Sequence, residues 1–304
     1  MKSSPDTPRI GLALGSGSSR GWSHIGIIKA LEEIGVRPHV VTGCSIGSIV
    51  AAAHAAGNLN ALEQWVTSLR KRDVAGFFDI NWRLNGVVDA PMLRSFLARN
   101  VAPEEATIEA LPLTYGSVAT NLVNGREIWF TDGSVLDSIM ASIALPGLFV
   151  PFRHQQRWLV DGGLVNPVPV SLCHALGAEI VIAVNLNGDI LGKHFAKPKD
   201  DGDENGSALD SLVETLRDYS ATLFPGNGEE TPPSLFDVIA SSVNITQDRI
   251  TRSRMAGDPP DVLLTPRLAH IGLLEFHRAK EAIEQGRQCV ERMQPAIEFA
   301  LNQG

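Results

Sequence analysis

The period of the hydrophobic positions changes repeatedly along the first part of the chain. Residues 10–14, Ile-Gly-Leu-Ala-Leu, form a short apolar run that enters a Gly/Ser loop, and Trp22, Ile25, Ile28, Leu31 and Ile34 then recur at helical spacing until Gly35 stops them. Val40 and Val41 lead into a second glycine-bearing turn, Gly43 to Gly47. That turn opens an alanine-rich helical segment, which Gly57 and Asn58 end. Strand, helix, strand, helix joined by short loops reads as a βαβα unit, and therefore as a parallel sheet in an α/β fold.

Further along, residues 61–70 repeat the helical pattern. Residues 76–86 lose it while presenting Phe77, Phe78, Ile80, Trp82 and Leu84, of which Phe77, Phe78 and Trp82 suit a lid, a lipid-facing surface, core packing or a dimer contact. Residues 113–119 and 127–130 read as strands, 135–144 as a helix, and 158–160 as a strand closing on Asp161. The almost wholly apolar run 180–186 is that of a central parallel strand. Residues 189–234 shift to Lys, Asp, Gly, Glu and Pro around one amphipathic stretch, 209–223, and read as a flexible insertion in a single domain spanning 9–304. Beyond it the pattern gives a helix over 236–255, a strand over 262–264, and a helical tail from Leu274 that Pro295 interrupts. Trp22, Trp129 and Trp158 are expected in the core or at its edge.

Composition removes several classes of function. A 304-residue chain with 44% hydrophobic and 20% charged residues is an ordinary globular one. Its formal charge of −8 repels nucleic acid at long range, so any basic membrane-docking patch has to be local. Cys44, Cys173 and Cys289 are odd in number and lack metal-type spacing, which fits reduced thiols in a cytoplasmic protein. No secretory h-region and no run of roughly 20 apolar residues is present, so the expectation is a cytoplasmic protein with at most peripheral membrane contact. No metal or cofactor is expected.

Three features carry candidate chemistry. The first is Gly15-Ser16-Gly17-Ser18-Ser19-Arg20-Gly21 between a strand and a helix, where backbone N–H groups backed by a helix N-terminus can face an anion. Such a loop could cradle a cofactor phosphate or hold a tetrahedral oxyanion. A dinucleotide site would want an acid at the end of the second strand, and Val40-Val41-Thr42-Gly43 has none. The second is Gly43-Cys44-Ser45-Ile46-Gly47, a G-x-S-x-G at a strand-to-helix junction, in which Gly43 and Gly47 leave room for a sharp turn that lifts Ser45 Oγ above the sheet. An isolated motif of this kind is as often a helix N-cap. The third is Asp161-Gly162-Gly163, whose simplest reading alone is a turn. A serine hydroxyl needs a base, however, and a carboxylate on a rigid turn can serve if the two side chains meet.

Taken together with Trp22-Ser23-His24-Ile25-Gly26, Ala119-Thr120-Asn121-Leu122, Ala141-Ser142, Pro146-Gly147 and Asn166-Pro167-Val168-Pro169, these motifs make residues 9–186 resemble bacterial patatin-like phospholipases of the RssA type. Phe276-His277-Arg278-Ala279 extends the resemblance into the tail. The resemblance implies a three-layer α/β/α fold with a mainly parallel sheet and a serine acyl-ester hydrolase acting on lipids. It implies a Ser45–Asp161 dyad, an oxyanion hole from the backbone of Gly15, Ser16, Gly17, Ser18 and Ser19, and supporting roles for Arg20, Gly43, Gly47, Gly162 and Gly163. Ser16 and Ser18 stand where many relatives carry glycine. Arg20 reads either as electrostatic help for the oxyanion or as a structural ion pair.

Two rival readings stay open at this level. An α/β-hydrolase would place a triad histidine after the acid, and His174, His194, His270 and His277 all follow Asp161, His270 most plausibly. Alternatively the same pocket belongs to a catalytically quiet module that binds lipid or a protein partner. Transfer of the acyl group to an alcohol would use the same residues as hydrolysis.

Overall fold

A computed structural model of the chain describes residues 8–74, 90–189 and 235–303. The candidate lid aromatics Phe77, Phe78 and Trp82, the amphipathic stretch 209–223 and His194 lie outside the described residues.

The N-terminal pattern folds as its periods require. Strand β1 (Ile10–Leu14) is followed by a 3-10 turn (Ser18–Trp22) and helix α1 (Ser23–Glu33), then by strand β2 (Val40–Cys44) and helix α2 (Ile46–Ala55). Next come α3 (Leu59–Ser68), α4 (Ala90–Asn100), β3 (Thr114–Asn121), β4 (Glu127–Phe130), α5 (Val135–Ser142), β5 (Phe152–His154) and β6 (Arg157–Asp161). The chain continues through α6 (Val170–Ala175), β7 (Ile180–Val184), α7 (Leu235–Gly257), β8 (Val262–Leu264) and α8 (Ala279–Gln303). Among the described residues the strands form one eight-stranded sheet in the order β5-β6-β3-β2-β1-β7-β8, with β4 paired to β3. The pairs β1–β2, β1–β7, β2–β3 and β7–β8 are parallel. The hairpins built on β3 to β6 are antiparallel.

Alternation along β1 divides the core between the two faces of the sheet. Leu12 and Leu14 join the large cluster under α1, α2, α5 and α8, whereas Ala13 joins a smaller one with Val40, Cys173, Val181 and Ala183 beneath α6. Each fully buried Leu or Ile contributes roughly 2 kcal/mol by removal from water. Helices α1 and α8 approach closely enough that a Cβ at Gly26 would collide with the Ile283 carbonyl oxygen, and one at Gly286 with that of Ser23.

Two expectations about the chain's later part are corrected. The tail helix starts at Ala279 rather than Leu274, and it runs through Pro295 instead of breaking there. Pro295 is exposed, so the carbonyl that loses its donor can be solvated, while Cys289, Val290 and Ile297 on the buried stripe hold the helix on either side of it. Strand β5 gave no sequence signal, since three residues containing Arg153 and His154 show no alternation. Trp22 is buried, whereas Trp129 and Trp158 are half-exposed on β4 and β6. The three cysteines are free and buried, and no described helix is long and apolar enough to cross a membrane.

Candidate active site

The C-terminal ends of β1 and β2 bring the first two motifs side by side. A Cβ at Gly43 would collide with the Gly47 carbonyl oxygen, and a Cβ at Gly47 with that of Leu14, so only glycine fits at either flank of Ser45. Ser45 itself takes φ +54°, ψ −124°, a conformation costly for any residue with a side chain and maintained by its surroundings. The Ser45 N–H donates to Ser142 Oγ at 2.9 Å, and the Ser45 carbonyl accepts from the Ser48 N–H at 2.8 Å and from Ser48 Oγ at 2.6 Å. The turn is thereby fastened to α5 on one side and to α2 on the other.

Asp161 ends β6, which pairs with β3 just beyond the point where β2 stops. The Ser45 Oγ–H donates to Asp161 Oδ2 at 2.5 Å, while Asp161 Oδ1 accepts the Gly163 N–H at 2.7 Å. Thr120 Oγ1 donates to the Asp161 carbonyl at 2.8 Å, and the Asp161 N–H donates to the Ala144 carbonyl at 3.0 Å. Burial pushes the carboxyl up to about 6, against the two hydrogen bonds that favour its charged form. A Cβ at Gly162 would collide with the Val118 carbonyl oxygen, which is why the acid is followed by a residue without a side chain.

In the glycine/serine loop, not every amide is available to a ligand. The Gly15 N–H donates to the Val184 carbonyl, that of Ser16 to Pro167, and that of Ser19 to Leu273. The amides of Gly17 and Ser18 have no partner among the described residues, and both residues line the same cavity as Ser45 and Asp161. Of the loop backbone from Gly15 to Ser19 expected to face an anion, the amides of Gly15, Ser16 and Ser19 are thus already engaged within the protein. Ser18 adopts φ +54°, the conformation that glycine would take without cost, and its Oγ–H donates to the Leu273 carbonyl at 2.6 Å. Ser19 Oγ donates to the Gly272 carbonyl and Arg20 Nε to that of Ile271. Three successive residues of the loop thus hook three successive carbonyls from the C-terminal part of the chain.

Arg20 is buried, with its pKa lowered to about 10 by desolvation against the pull of Glu275. Its hydrogen bond runs to a backbone carbonyl, that of Ile271, rather than forming the ion pair considered from the sequence, and Arg20 is absent from the lining of the cavity. His24 is also buried: its Nε2 donates to the Gly15 carbonyl at 2.8 Å, and burial lowers its pKa to about 4, so it stays neutral while pinning the loop.

Of the histidines of the rival triad, His174, His270 and His277 are described, and none of the three lines the cavity. His270 Nε2 faces Glu281 at 2.7 Å on the surface, and His174 Nδ1 faces the Ala178 carbonyl. No described histidine lines the Ser45 cavity. That cavity measures about 200 Å³ and is walled by Trp65, Leu69, Phe96, Leu148 and Phe149, with Asn244 and Gln247 of α7 as polar exceptions. Sequence reasoning assigned no role to His24, Thr120 or Ser142, although each lies within a motif that it singled out. It passed over α7 altogether as a source of site residues.

The family model for patatin-like phospholipase matches residues 12–174. An uncharacterized NTE family protein of Mycobacterium tuberculosis is 32% identical, across 96% of this chain and 93% of its own length. The lysophospholipase NTE1 of Pyricularia oryzae is 30% identical across 91% of this chain, which corresponds to 18% of the fungal protein. Among solved structures, VipD from Legionella pneumophila shares the fold, with a TM-score of 0.53 at 14% identity over 95% of this chain and 68% of VipD. A family model that spans more than half of the chain, and a relative matched over nearly all of its length, establish that this chain belongs to the patatin-like phospholipase family.

Proposed function

We propose that the protein is a lipid acyl-ester hydrolase in which Ser45 is the nucleophile and Asp161 its general base. The observation that carries this reading is the direct contact of Ser45 Oγ with a buried carboxylate at an apolar cavity of acyl-chain character. Asp161 accepts the Ser45 proton as Oγ attacks the ester carbonyl, and the oxyanion gathers at the amides of Gly17 and Ser18. The C–O bond then breaks, and Asp161 returns the proton to the departing alcohol. In the second half Asp161 takes a proton from water, hydroxide attacks the acyl-serine, and Oγ leaves with that proton to restore the dyad. Every group in this scheme belongs to the protein, so no metal or cofactor is required.

The lysophospholipase name of the fungal relative supports a lipid ester as substrate, as does the apolar wall. In this reading residues 9–304 form one hydrolase domain that meets its substrate at a membrane from the cytoplasmic side, and 189–234 is an insertion within it. The test is to treat purified protein with a fluorophosphonate and map the adduct by mass spectrometry, alongside cleavage of a lipid extract and of short p-nitrophenyl esters. Labelling confined to Ser45, with release of fatty acid, is the expected result. An unlabelled serine would leave the quiet binding module instead.

A further inference from the structure

Two hairpins turn at the same end of the sheet as Ser45. Strand β3 runs parallel to β2, lies opposite Cys44 at Val118 and continues to Asn121, so its turn toward β4 begins four residues beyond the level of Cys44. At a strand's rise per residue that is a lift of roughly 13 Å. Strand β6 is antiparallel to β3, and its hairpin with β5 therefore turns at this end too. The two are joined where the Leu122 N–H donates to the Trp158 carbonyl at 2.9 Å.

Turns that only face water are ordinarily polar, yet Val123 is 83% exposed, Leu122 52% and Trp158 45%, which makes an apolar ridge. Three exposed arginines flank it. Arg126 closes the β3–β4 turn, its carbonyl accepting from the Asn121 N–H; the Arg153 guanidinium lies over the Trp158 ring, 5.5 Å from its centroid; and Arg157 begins β6. Among the described residues none of the three has an ion-pair partner, and Glu127, next to Arg126 in the chain, is engaged by Arg254 and Asn166 instead. In a chain of net charge −8, unpaired cations gathered around an apolar ridge make a local exception to the charge of the whole.

We infer that the tips of the β3–β4 and β5–β6 hairpins dock the protein on an anionic lipid bilayer, with Leu122, Val123 and Trp158 entering the headgroup layer and Arg126, Arg153 and Arg157 facing its phosphates. The choice of a bilayer rests on the lipid-hydrolase reading above. Tryptophan favours the boundary between water and acyl chains, arginine matches phosphate with paired N–H donors, and the aliphatic side chains gain by leaving water. The lift of roughly 13 Å lets the ridge sink about 5–10 Å, the depth of an interfacial element, while Ser45 stays within the protein. Leu148 and Phe149 wall the Ser45 cavity, and the chain runs from them through exposed Val150 straight into β5, so cavity wall and docking ridge share one segment. A bilayer on this face brings its esters to the end of the sheet that holds the nucleophile, and a protein on it brings none.

The experiment is cosedimentation, at low ionic strength, with vesicles of equal parts phosphatidylglycerol and phosphatidylcholine and with vesicles of phosphatidylcholine alone. The wild-type protein should partition onto the anionic vesicles roughly a hundredfold more strongly, at about fivefold for each of three arginines near the surface. Combining Arg126→Gln, Arg153→Gln and Arg157→Gln should bring that ratio toward one, and Val123→Asp should weaken binding to both vesicles about tenfold or more. Both variants should cleave a short p-nitrophenyl ester at the wild-type rate, which shows that fold and cavity are intact. An arginine variant that keeps the anionic preference would overturn the docking surface, as would a wild-type protein that binds neither vesicle. A wild-type dimer that Val123→Asp dissociates, without vesicle binding, would make the ridge a contact between copies instead. Vesicle binding as expected by a protein that neither cleaves the ester nor takes a fluorophosphonate would leave the surface standing and remove the hydrolase reading.

Discussion

Ser45 Oγ and Asp161 Oδ2 are 2.5 Å apart, and the other oxygen of that carboxyl is held by the Gly163 amide, so acid and alcohol meet without an intermediary. Asp161→Asn preserves this packing, since an amide can place its oxygen at Gly163 and its nitrogen at Ser45, but it cannot accept the proton. We expect kcat to fall by about 10³-fold or more. Alanine at His174, His270 or His277 should leave kcat within about tenfold. Steady-state kinetics on one ester decides the matter, and an inactive His270→Ala protein with a native circular dichroism spectrum would replace the dyad by a triad.

The raised pKa of Asp161 has consequences of opposite sign for rate and stability. The base works only when ionised, so kcat/KM should rise with pH along a limb near 6 and level off above it. A carboxyl moved from 3.8 to about 6 by burial binds its proton more tightly in the folded state. Its contribution is therefore most favourable below the unfolded value and is lost as pH climbs through 6, by on the order of 3 kcal/mol. Asp161→Asn should remove this dependence, making the variant relatively more stable at pH 8 than at pH 4. Urea denaturation at the two pH values measures the difference.

Ser18 combines a positive φ with a hydrogen bond to the Leu273 carbonyl. Ser18→Ala loses the bond and keeps the unfavourable backbone, whereas Ser18→Gly loses the bond and relieves the backbone. The glycine variant should be more stable than the alanine variant by about 1–2 kcal/mol, and thermal unfolding would reveal it. Equal melting temperatures would mean that the loop relaxes elsewhere.

Chelation should not affect turnover. Among the described residues no cluster of three or more His, Cys, Asp or Glu side chains could hold an ion, and the proposed steps need none. Loss of ester hydrolysis in EDTA, restored by added metal, would contradict the mechanism.

Much of the site is legible from local chemistry, because glycine is needed wherever the backbone must turn sharply or pack closely. Gly43 and Gly47 frame Ser45 in the sequence for the same steric reason that they frame it in the fold. The meeting of Ser45 with Asp161, 116 positions apart, depends on β6 pairing antiparallel to β3, which no local pattern specifies. The selection of Gly17 and Ser18 among the loop amides depends on where Val184, Pro167 and Leu273 place their carbonyls. Only α7 carried a readable signal that periodicity analysis passed over. Asn244, Gln247, Asp248 and Thr251 lie on one stripe, and a hydrophobicity rule assigns such a stripe to solvent, whereas a helix lining a binding site turns it inward.

The hooks from Ser18, Ser19 and Arg20 to the carbonyls of residues 271–273 span more than 250 positions of chain. A ribosome extending a chain at roughly 5–20 residues per second needs on the order of tens of seconds to cover that interval. Throughout it the nascent protein holds its serine and, for much of the time, its carboxylate, but lacks the carbonyls that shape the anion loop. On the proposed mechanism a half-made copy is a hydrolase without a finished transition-state cradle, and the lipids around the ribosome would meet an active enzyme only when its synthesis is nearly over.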